Sequence, residues 1–192
     1  MKPNTTQSGF TLVETIVAIL ILILTVGALL TLTAGGFFTI RYIKNDIAAT
    51  NLLQESLEYI RNTRDTAAQS GIPWEEWSQT YINNGCTSKN GCIVNPYAIK
   101  PEVRVVACDN DCPYMTFFPG PNFYSYPVDN IFGPSIDQPY ETSFVRTIRM
   151  QVVDSQTTDT RPTLAITASI QWMNGTNRKS VTQSLTLTPW NL

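Results

Sequence analysis

The sequence contains no histidine, which removes the side chain that most often serves as a general base or a zinc ligand. Chemistry based on Glu, Asp, Cys or Lys stays possible. Basic residues are few and scattered, since 13 Lys and Arg against 15 Asp and Glu give a formal net charge of −2. Without a basic cluster, the chain lacks the electrostatic footprint of a nucleic-acid-binding protein. It also lacks a nucleophile–base pair, a glycine-rich phosphate loop and metal-ligand spacing. We therefore expect neither an enzyme nor a bound cofactor.

Charge is also absent from one long stretch near the N-terminus. Residues 15–40 carry no charged side chain, and their apolar run is about long enough to cross a hydrocarbon core as one helix. Glu14 is a carboxylate just inside the start of that run, where a charge costs on the order of a few kcal/mol. A simple explanation is an acid at headgroup level that favours the helix dipole. The alternative is a functional carboxylate.

The residues before the run favour the functional alternative. A short polar leader ends in a glycine, an aromatic follows at once, and the stretch reads Gly9-Phe10-Thr11-Leu12-Val13-Glu14. This pattern resembles the processing and methylation motif of type IV prepilins and pseudopilins. The resemblance implies cleavage between Gly9 and Phe10 by a prepilin peptidase/methyltransferase, followed by N-methylation of Phe10. It also implies that Glu14, then the fifth residue, pairs with the terminal amine of a neighbouring subunit during filament assembly.

The resemblance further implies a location and a set of partners. The chain would be a single-pass inner-membrane protein, surrounded by lipid, before it enters an extracytoplasmic filament. Its partners would be other pilin or pseudopilin subunits and an inner-membrane assembly platform. The leader would lie in the cytoplasm. The positive-inside rule does not predict that orientation, because only Lys2 precedes the apolar run whereas Arg41 and Lys44 follow it.

Two alternatives to a filament subunit stay open. The apolar helix could simply anchor an extracytoplasmic binding protein or a tip adhesin in the membrane. Small residues around Gly27 would also suit a signal peptidase that cuts after Ala28 and releases a soluble secreted protein. The charge at Glu14 and the long apolar continuation count against that second route.

A helical pattern continues beyond the apolar run. Apolar residues recur at three- and four-residue steps between residues 40 and 60, with one longer step, and predict an amphipathic helix. Gly71 and Pro73 then supply a stop. We therefore expect one helix over residues 10–69.

Four cysteines lie beyond the apolar run: Cys86, Cys92, Cys108 and Cys112. An even number outside the membrane suits an oxidising compartment and two disulfides. Three connectivities are possible, and we expect the sequence-local pairs. A zinc site built from all four thiolates stays open, although the spacings differ from those of a zinc knuckle. Residues 109–111, Asp-Asn-Asp, offer oxygen donors for calcium without the rest of a binding loop.

The middle of the chain predicts little regular structure. The sequence Trp-Glu-Glu-Trp at residues 74–77 indicates a short helical turn with packed tryptophans and solvated glutamates, and residues 103–106 indicate a strand. Residues 113–139 contain six prolines and many aromatic rings. We expect a long irregular loop there, whose rings either pack onto the core or form an exposed contact surface.

The last third alternates apolar and polar residues, which predicts an antiparallel sheet with one covered face. Arg146 interrupts the apolar face of the first strand, and the turn that begins at Asn174 is expected to extend to Arg178. The chain is thus predicted to be α+β, with a long N-terminal helix packed on a C-terminal antiparallel β-sheet in a pilin-like arrangement, resembling minor pilins most. We divide it into a leader, residues 1–9, a transmembrane and assembly half of the helix, residues 10–40, and an extracytoplasmic head, residues 41–192.

Overall fold

The computed structural model describes Gly9 and residues 11–98, 100–120, 122–126, 139–153 and 162–190. Phe10, the predicted methylation site, lies outside the described residues. The chain divides into two compact units, Met1–Asn45 and Asp46–Leu192.

Helix α1 covers Leu12–Gln69, close to the predicted range. It ends as predicted, because Gly71 adopts a φ of 71° that side chains other than glycine disfavour. The Gly71 N–H donates to the carbonyl of Ala68 at 3.2 Å and the Ile72 N–H donates to that of Ala67 at 3.0 Å. This pair of bonds is the Schellman motif, which satisfies carbonyls that the helix leaves unpaired at its end.

The second unit adds one short helix and a sheet to the C-terminal part of α1. Helix α2 covers Trp74–Asn83, and a 3₁₀ turn covers Pro101–Val103. Seven strands run through the described residues: β1 Cys92–Val94, β2 Val105–Ala107, β3 Tyr114–Phe118, β4 Phe123–Ser125, β5 Tyr140–Val153, β6 Thr163–Asn174 and β7 Asn177–Leu187.

All the pairings in this sheet are antiparallel, as predicted. Strand β5 occupies the centre, with β6 and then β7 on one side. Its other side pairs with β1 near Ile148 and with β3 over residues 140–145, and β2 and β4 lie beyond those two strands. Because β5 pairs with β1, β3 and β6, its inward side chains lie in the middle of the head's core.

One face of the sheet is covered by the amphipathic part of α1. Leu53 and Ile60 are fully buried in the same cluster as Ile148, Ile166 and Ile170. The helix therefore places its apolar stripe on the sheet, and the second unit is an α+β head with one core. Helix α2 also packs on this core as expected, with Trp74 and Trp77 buried and both intervening glutamates exposed.

The prediction of an irregular loop over residues 113–139 is wrong in its first part. Strand β3 lies between β5 and β4, so it is an internal strand. Pro113 and Pro119 flank β3 directly and remove no donor from its interior. The rings of this hairpin are divided between core and surface, since Phe118 is buried and Tyr114 is exposed. Residues 127–138 lie outside the described part of the chain.

Two other boundaries differ from the prediction. The strand predicted over residues 103–106 starts later, at Val105, because the preceding residues form the 3₁₀ turn. The hairpin turn between β6 and β7 is shorter than predicted, since Asn174 pairs directly with Asn177. Gly175 occupies its first central position with a φ of 62°, the conformation that a two-residue type II′ turn requires there.

Candidate functional site

The start of α1 carries an N-terminal cap that the sequence analysis did not identify. Thr11 precedes the helix, and its hydroxyl oxygen accepts a hydrogen bond from the Glu14 N–H at 3.3 Å. Thr11 and Glu14 have the spacing of a capping box, and Glu14 lies in the first turn, where the helix dipole favours a negative charge. The Thr-x-x-Glu spacing in the sequence could have predicted this cap.

The apolar part of α1 presents its side chains outward. Leu12–Thr33 is, among the described residues, the one helical stretch long and apolar enough to cross a membrane, a test that a signal sequence also passes. All of its residues are exposed. Its threonine hydroxyls all donate to carbonyls of the preceding turn, from Thr15, Thr25, Thr31 and Thr33. Satisfying hydroxyls in this way lets a helix face an apolar surrounding at low cost.

Glu14 differs from the threonines of the same stretch. Its carboxylate is exposed, and within the described residues it makes neither an ion pair nor a hydrogen bond. It is therefore the only side chain in Leu12–Thr33 whose polar atoms lack a partner in the described part of the chain. Burying a carboxylate in an apolar surrounding is costly unless a counter-charge accompanies it. Gly9 is also exposed.

The cysteines form the two sequence-local pairs, Cys86–Cys92 and Cys108–Cys112. Because all four sulfurs are in disulfides, the alternative of a thiolate zinc site is wrong. The two loops are neighbours, since Cys92 pairs with Ala107 across β1 and β2. Asp109 and Asp111 are exposed in the second loop, and the backbone carbonyl of Asp109 accepts a hydrogen bond from Asn90.

Arg146 is a residue that the sequence analysis noted on the apolar face of its strand but left unexplained. It points from β5 into the core and is 1% exposed. Its guanidinium donates to the carbonyls of Leu52 at 2.9 Å and Val94 at 2.8 Å, and to the Glu55 carboxylate at 3.1 Å. One side chain thus ties α1, β1 and β5 together. The arginine breaks the apolar pattern because it supplies donors to backbone acceptors inside the core.

The Glu55 carboxylate also links this network to the surface. The Tyr97 hydroxyl donates to it at 2.6 Å, and this hydrogen bond, with smaller contributions from burial and from the Glu55 charge, raises the pKa of Tyr97 to about 12. Burial raises the pKa of Tyr126, whose ring lies 5.7 Å from the Arg146 guanidinium carbon. These contacts connect the Arg146–Glu55 ion pair to Tyr97 at the surface and to Tyr126 in the core.

A shallow cleft lies beside the second disulfide, on the outer face of the sheet. Its volume is about 170 Å³, and its lining includes Asp111, Tyr114, Gln171 and Arg178. The side chains of Asp111, Tyr114 and Arg178 are exposed, so these polar groups of the cleft are open to solvent. Among the described residues, no group of three or more Cys, Asp or Glu side chains is arranged to hold a metal ion.

The structure therefore places the predicted residues in two separate groups. Gly9 and Glu14 belong to the apolar segment, whereas the four cysteines stabilise the head. Comparison of the chain with protein-family models, with curated proteins and with solved structures finds no match.

Proposed function

We propose that the chain is a structural subunit, most closely a minor pilin or pseudopilin, of a type IV pilus-like filament. The observation that supports this most directly is the isolated carboxylate of Glu14. It stands five residues after Gly9, in a segment whose other polar side chains are all satisfied within the helix. Cleavage after Gly9 would create a cationic amine on Phe10, the kind of group that such a carboxylate needs.

In the proposed filament, the methylated Phe10 amine of one subunit pairs with Glu14 of its neighbour. The apolar segments pack laterally and provide most of the cohesion, while the charge pair sets the axial register. The heads lie on the outside of the filament, because each head buries its apolar side chains in its own core. Before assembly the segment is surrounded by membrane lipid, and the partners are a prepilin peptidase/methyltransferase, an inner-membrane assembly platform and other subunits.

The direct test is the N-terminal sequence and intact mass of the mature protein, purified from membranes of its native host. The proposal expects a chain that begins with methylated Phe10. A chain that begins at Leu29 would instead show a secreted protein cut after Ala28. An intact Met1 would show a plain membrane anchor, as in a tethered binding protein, and either result would overturn the proposal.

A substitution tests the role of Glu14 separately. We expect Glu14→Ala to insert into the membrane as well as the wild type, since it removes a charge from the apolar segment. It should enter filaments at least about tenfold less, because the terminal amine of the neighbour would lose its partner. Sheared filaments and membranes are compared by immunoblot.

The matched control for that substitution is Glu75→Ala, which removes an exposed carboxylate from helix α2 of the head. We expect Glu75→Ala to assemble normally. Normal incorporation of Glu14→Ala would show that the charge pair does not set the register, even if processing at Gly9 is found.

A further inference from the structure

Three asparagines of the head are followed directly by glycine, in the pairs Asn84-Gly85, Asn90-Gly91 and Asn174-Gly175. This dipeptide is chemically fragile, because glycine has no side chain to shield its backbone nitrogen. The nitrogen can attack the side-chain carbonyl carbon of the asparagine and close a five-membered ring. All three glycines have a positive φ, so the backbone angle does not distinguish the pairs. Their surroundings do.

The pair Asn84-Gly85, which follows helix α2, is held by hydrogen bonds at both reacting groups. The Gly85 N–H donates to the carbonyl of Ile82 at 3.1 Å, and the Asn84 side-chain amide donates to the carbonyl of Thr80 at 2.6 Å. A Cβ at Gly85 would lie 2.6 Å from the Ala107 side chain, so this turn is also packed against β2. Although Asn84 is exposed, its amide is therefore restrained.

The pair Asn90-Gly91 is held in the same way, inside the loop that the Cys86–Cys92 disulfide closes. The Gly91 N–H donates to both the carbonyl and the hydroxyl oxygen of Ser88, each at 3.1 Å. The Asn90 side-chain amide donates to the carbonyl of Asp109. Gly91 is also buried, so the nitrogen that would have to attack is both hydrogen-bonded and enclosed.

The pair Asn174-Gly175 differs in each of these respects. It lies at the tip of the β6–β7 hairpin, where Asn174 pairs with Asn177. The N–H of the first central residue of a two-residue turn takes no part in the ladder. Within the described part of the chain, neither the Gly175 N–H nor the Asn174 side chain makes a hydrogen bond. Gly175 is exposed, and apart from its two neighbours in the chain, a Cβ there would meet no atom of the described residues within 4 Å.

We propose that Asn174 is a site of spontaneous deamidation, for which water is the only co-reactant. The Gly175 nitrogen bonds to Cγ of Asn174, the Cγ–Nδ2 bond breaks, and the amide group leaves with the Gly175 proton as ammonia. Water then adds to one of the two carbonyl carbons of the ring and breaks the bond from that carbon to the nitrogen. Opening at Cγ gives aspartate, and opening at the backbone carbon gives isoaspartate.

The position of the turn allows the movement that this reaction requires. Closing the ring needs a rotation about the Cα–C bond of Asn174, away from the extended geometry of a strand. Asn174 and Asn177 are the last pair of the β6–β7 ladder, and such ends open at a lower free energy than the core of a sheet. The nearest buried residue of β6 is Trp172, two positions earlier, so the tip can open without disturbing the core.

Deamidation would change the exposed tip in two ways. Either product adds one negative charge to the hairpin end that carries Arg178 and Lys179. Isoaspartate also routes the main chain through its side-chain carbons, so the two-residue turn and the pairing of Asn174 with Asn177 would be lost. The head would therefore exist in forms that differ in charge at one exposed tip. This proposal does not depend on processing at Gly9 or on filament assembly.

Peptide mass spectrometry of the full-length chain, purified in detergent, tests this proposal. The folded protein is incubated at mildly alkaline pH, which favours loss of the proton from the attacking nitrogen, and is then digested at acidic pH. We expect Asn174 to convert at least about tenfold faster than Asn84 and Asn90, because opening of the hairpin tip alone suffices. After reduction and unfolding in guanidinium chloride, the three asparagines should convert at similar rates.

Two variants at the turn test the role of the glycine nitrogen. Gly175→Ala should slow the conversion of Asn174 by about tenfold in the unfolded chain, because a Cβ crowds the attacking nitrogen. Measuring this variant unfolded separates that effect from the strain that alanine meets at a φ of 62°. The matched control is Thr176→Ala, which keeps the Asn174-Gly175 pair and should convert like the wild type.

Three results would overturn the proposal. The first is an equal rate at Asn174 and at either Asn84 or Asn90 in the folded chain. The second is a tenfold excess at Asn174 that persists after unfolding, since the fold would then not select the site. The third is a product that contains aspartate alone, as direct hydrolysis gives, without isoaspartate. None of these results bears on whether the mature chain begins at Phe10, so the two proposals fail independently.

Discussion

The two ends of helix α1 differ in whether their apolar side chains are buried, although both ends are rich in leucine and isoleucine. In Leu12–Thr33 the apolar residues surround the helix, and Leu22 is 61% exposed. In the part that belongs to the head they form one stripe, and Leu53 is fully buried against the sheet. A stripe can be satisfied by one neighbouring layer, whereas a helix that is apolar on all sides needs an apolar surrounding. The head thus completes its own core, whereas the side chains of Leu12–Thr33 stay exposed.

The largest expected effect comes from removing a leucine from each end of the helix. Leu53→Ala should lower the free energy of unfolding of the head by about 2–5 kcal/mol, because it leaves a cavity between α1 and the sheet. Leu22→Ala should change it by less than about 0.5 kcal/mol. Urea unfolding in detergent, followed by tryptophan fluorescence, measures the head alone, because Trp74, Trp77, Trp172 and Trp190 all belong to it.

Equal losses from both substitutions would contradict the distinction between the two ends. Equal losses would mean that the apolar segment packs on the head and shares its core. The outcome is therefore informative about the anchor as well as about the head.

A comparison of two arginines gives the next effect. Arg146 is buried and its ion pair with Glu55 connects β5 to α1, whereas Arg61 pairs with Glu58 on the surface of α1. Arg146→Met should cost about 2–4 kcal/mol, since it removes the three hydrogen bonds that Arg146 donates to Leu52, Val94 and Glu55 and leaves the Glu55 carboxylate without its ion-pair partner. Arg61→Met should cost less than about 0.5 kcal/mol. The same urea titration compares the two variants. A loss of stability below about 1 kcal/mol for Arg146→Met, which is what one surface ion pair contributes, would contradict the bridging role of Arg146.

Arg146 also shows where reading the sequence reached its limit. Its own strand was predicted correctly, because alternation over a few residues is local information. Its partners were not, since the carbonyls of Leu52 and Val94 lie 94 and 52 residues away and carry no side-chain signature. A charged residue on an apolar face indicates that acceptors are present, but it does not indicate which ones.

The prolines of residues 113–139 misled the prediction for a related reason. Their density argues against regular structure when it is averaged over the stretch. Pro113 and Pro119 instead stand immediately before and after β3, where a missing N–H costs the ladder nothing. Composition records how many prolines there are, and the fold depends on their positions. The helix end at Gly71 was predictable because a single residue there determines the conformation.

Two glycines extend the comparison between the head and the apolar segment. Gly91 has a φ of 75°, and a Cβ there would lie 2.5 Å from the backbone oxygen of Ile148. Gly91→Ala should therefore destabilise the head by about 1–3 kcal/mol, through backbone strain and the forced displacement of β5. Outside its own helical turn, a Cβ at Gly27 would meet no atom of the described residues within 4 Å, so Gly27→Ala should leave the head unchanged. Thermal unfolding of both variants provides the test, and tolerance of Gly91→Ala would show that β1 and β5 lie further apart.

The smallest expected effect is a pH dependence confined to the head, because Leu12–Thr33 contains no tyrosine. The pKa of Tyr97 is raised to about 12 by its hydrogen bond to Glu55, compared with about 10 in an unfolded chain. Above pH 10 the unfolded state loses this proton while the folded state keeps it. The stabilisation is therefore complete below pH 10 and is lost as the pH rises through 12. Tyr97→Phe removes this contribution, so its urea midpoint should fall less steeply between pH 9.5 and 11.5, values chosen to span the shift about pH 10. The other tyrosines act equally in both proteins, and identical slopes would show that the Tyr97–Glu55 hydrogen bond does not persist in solution.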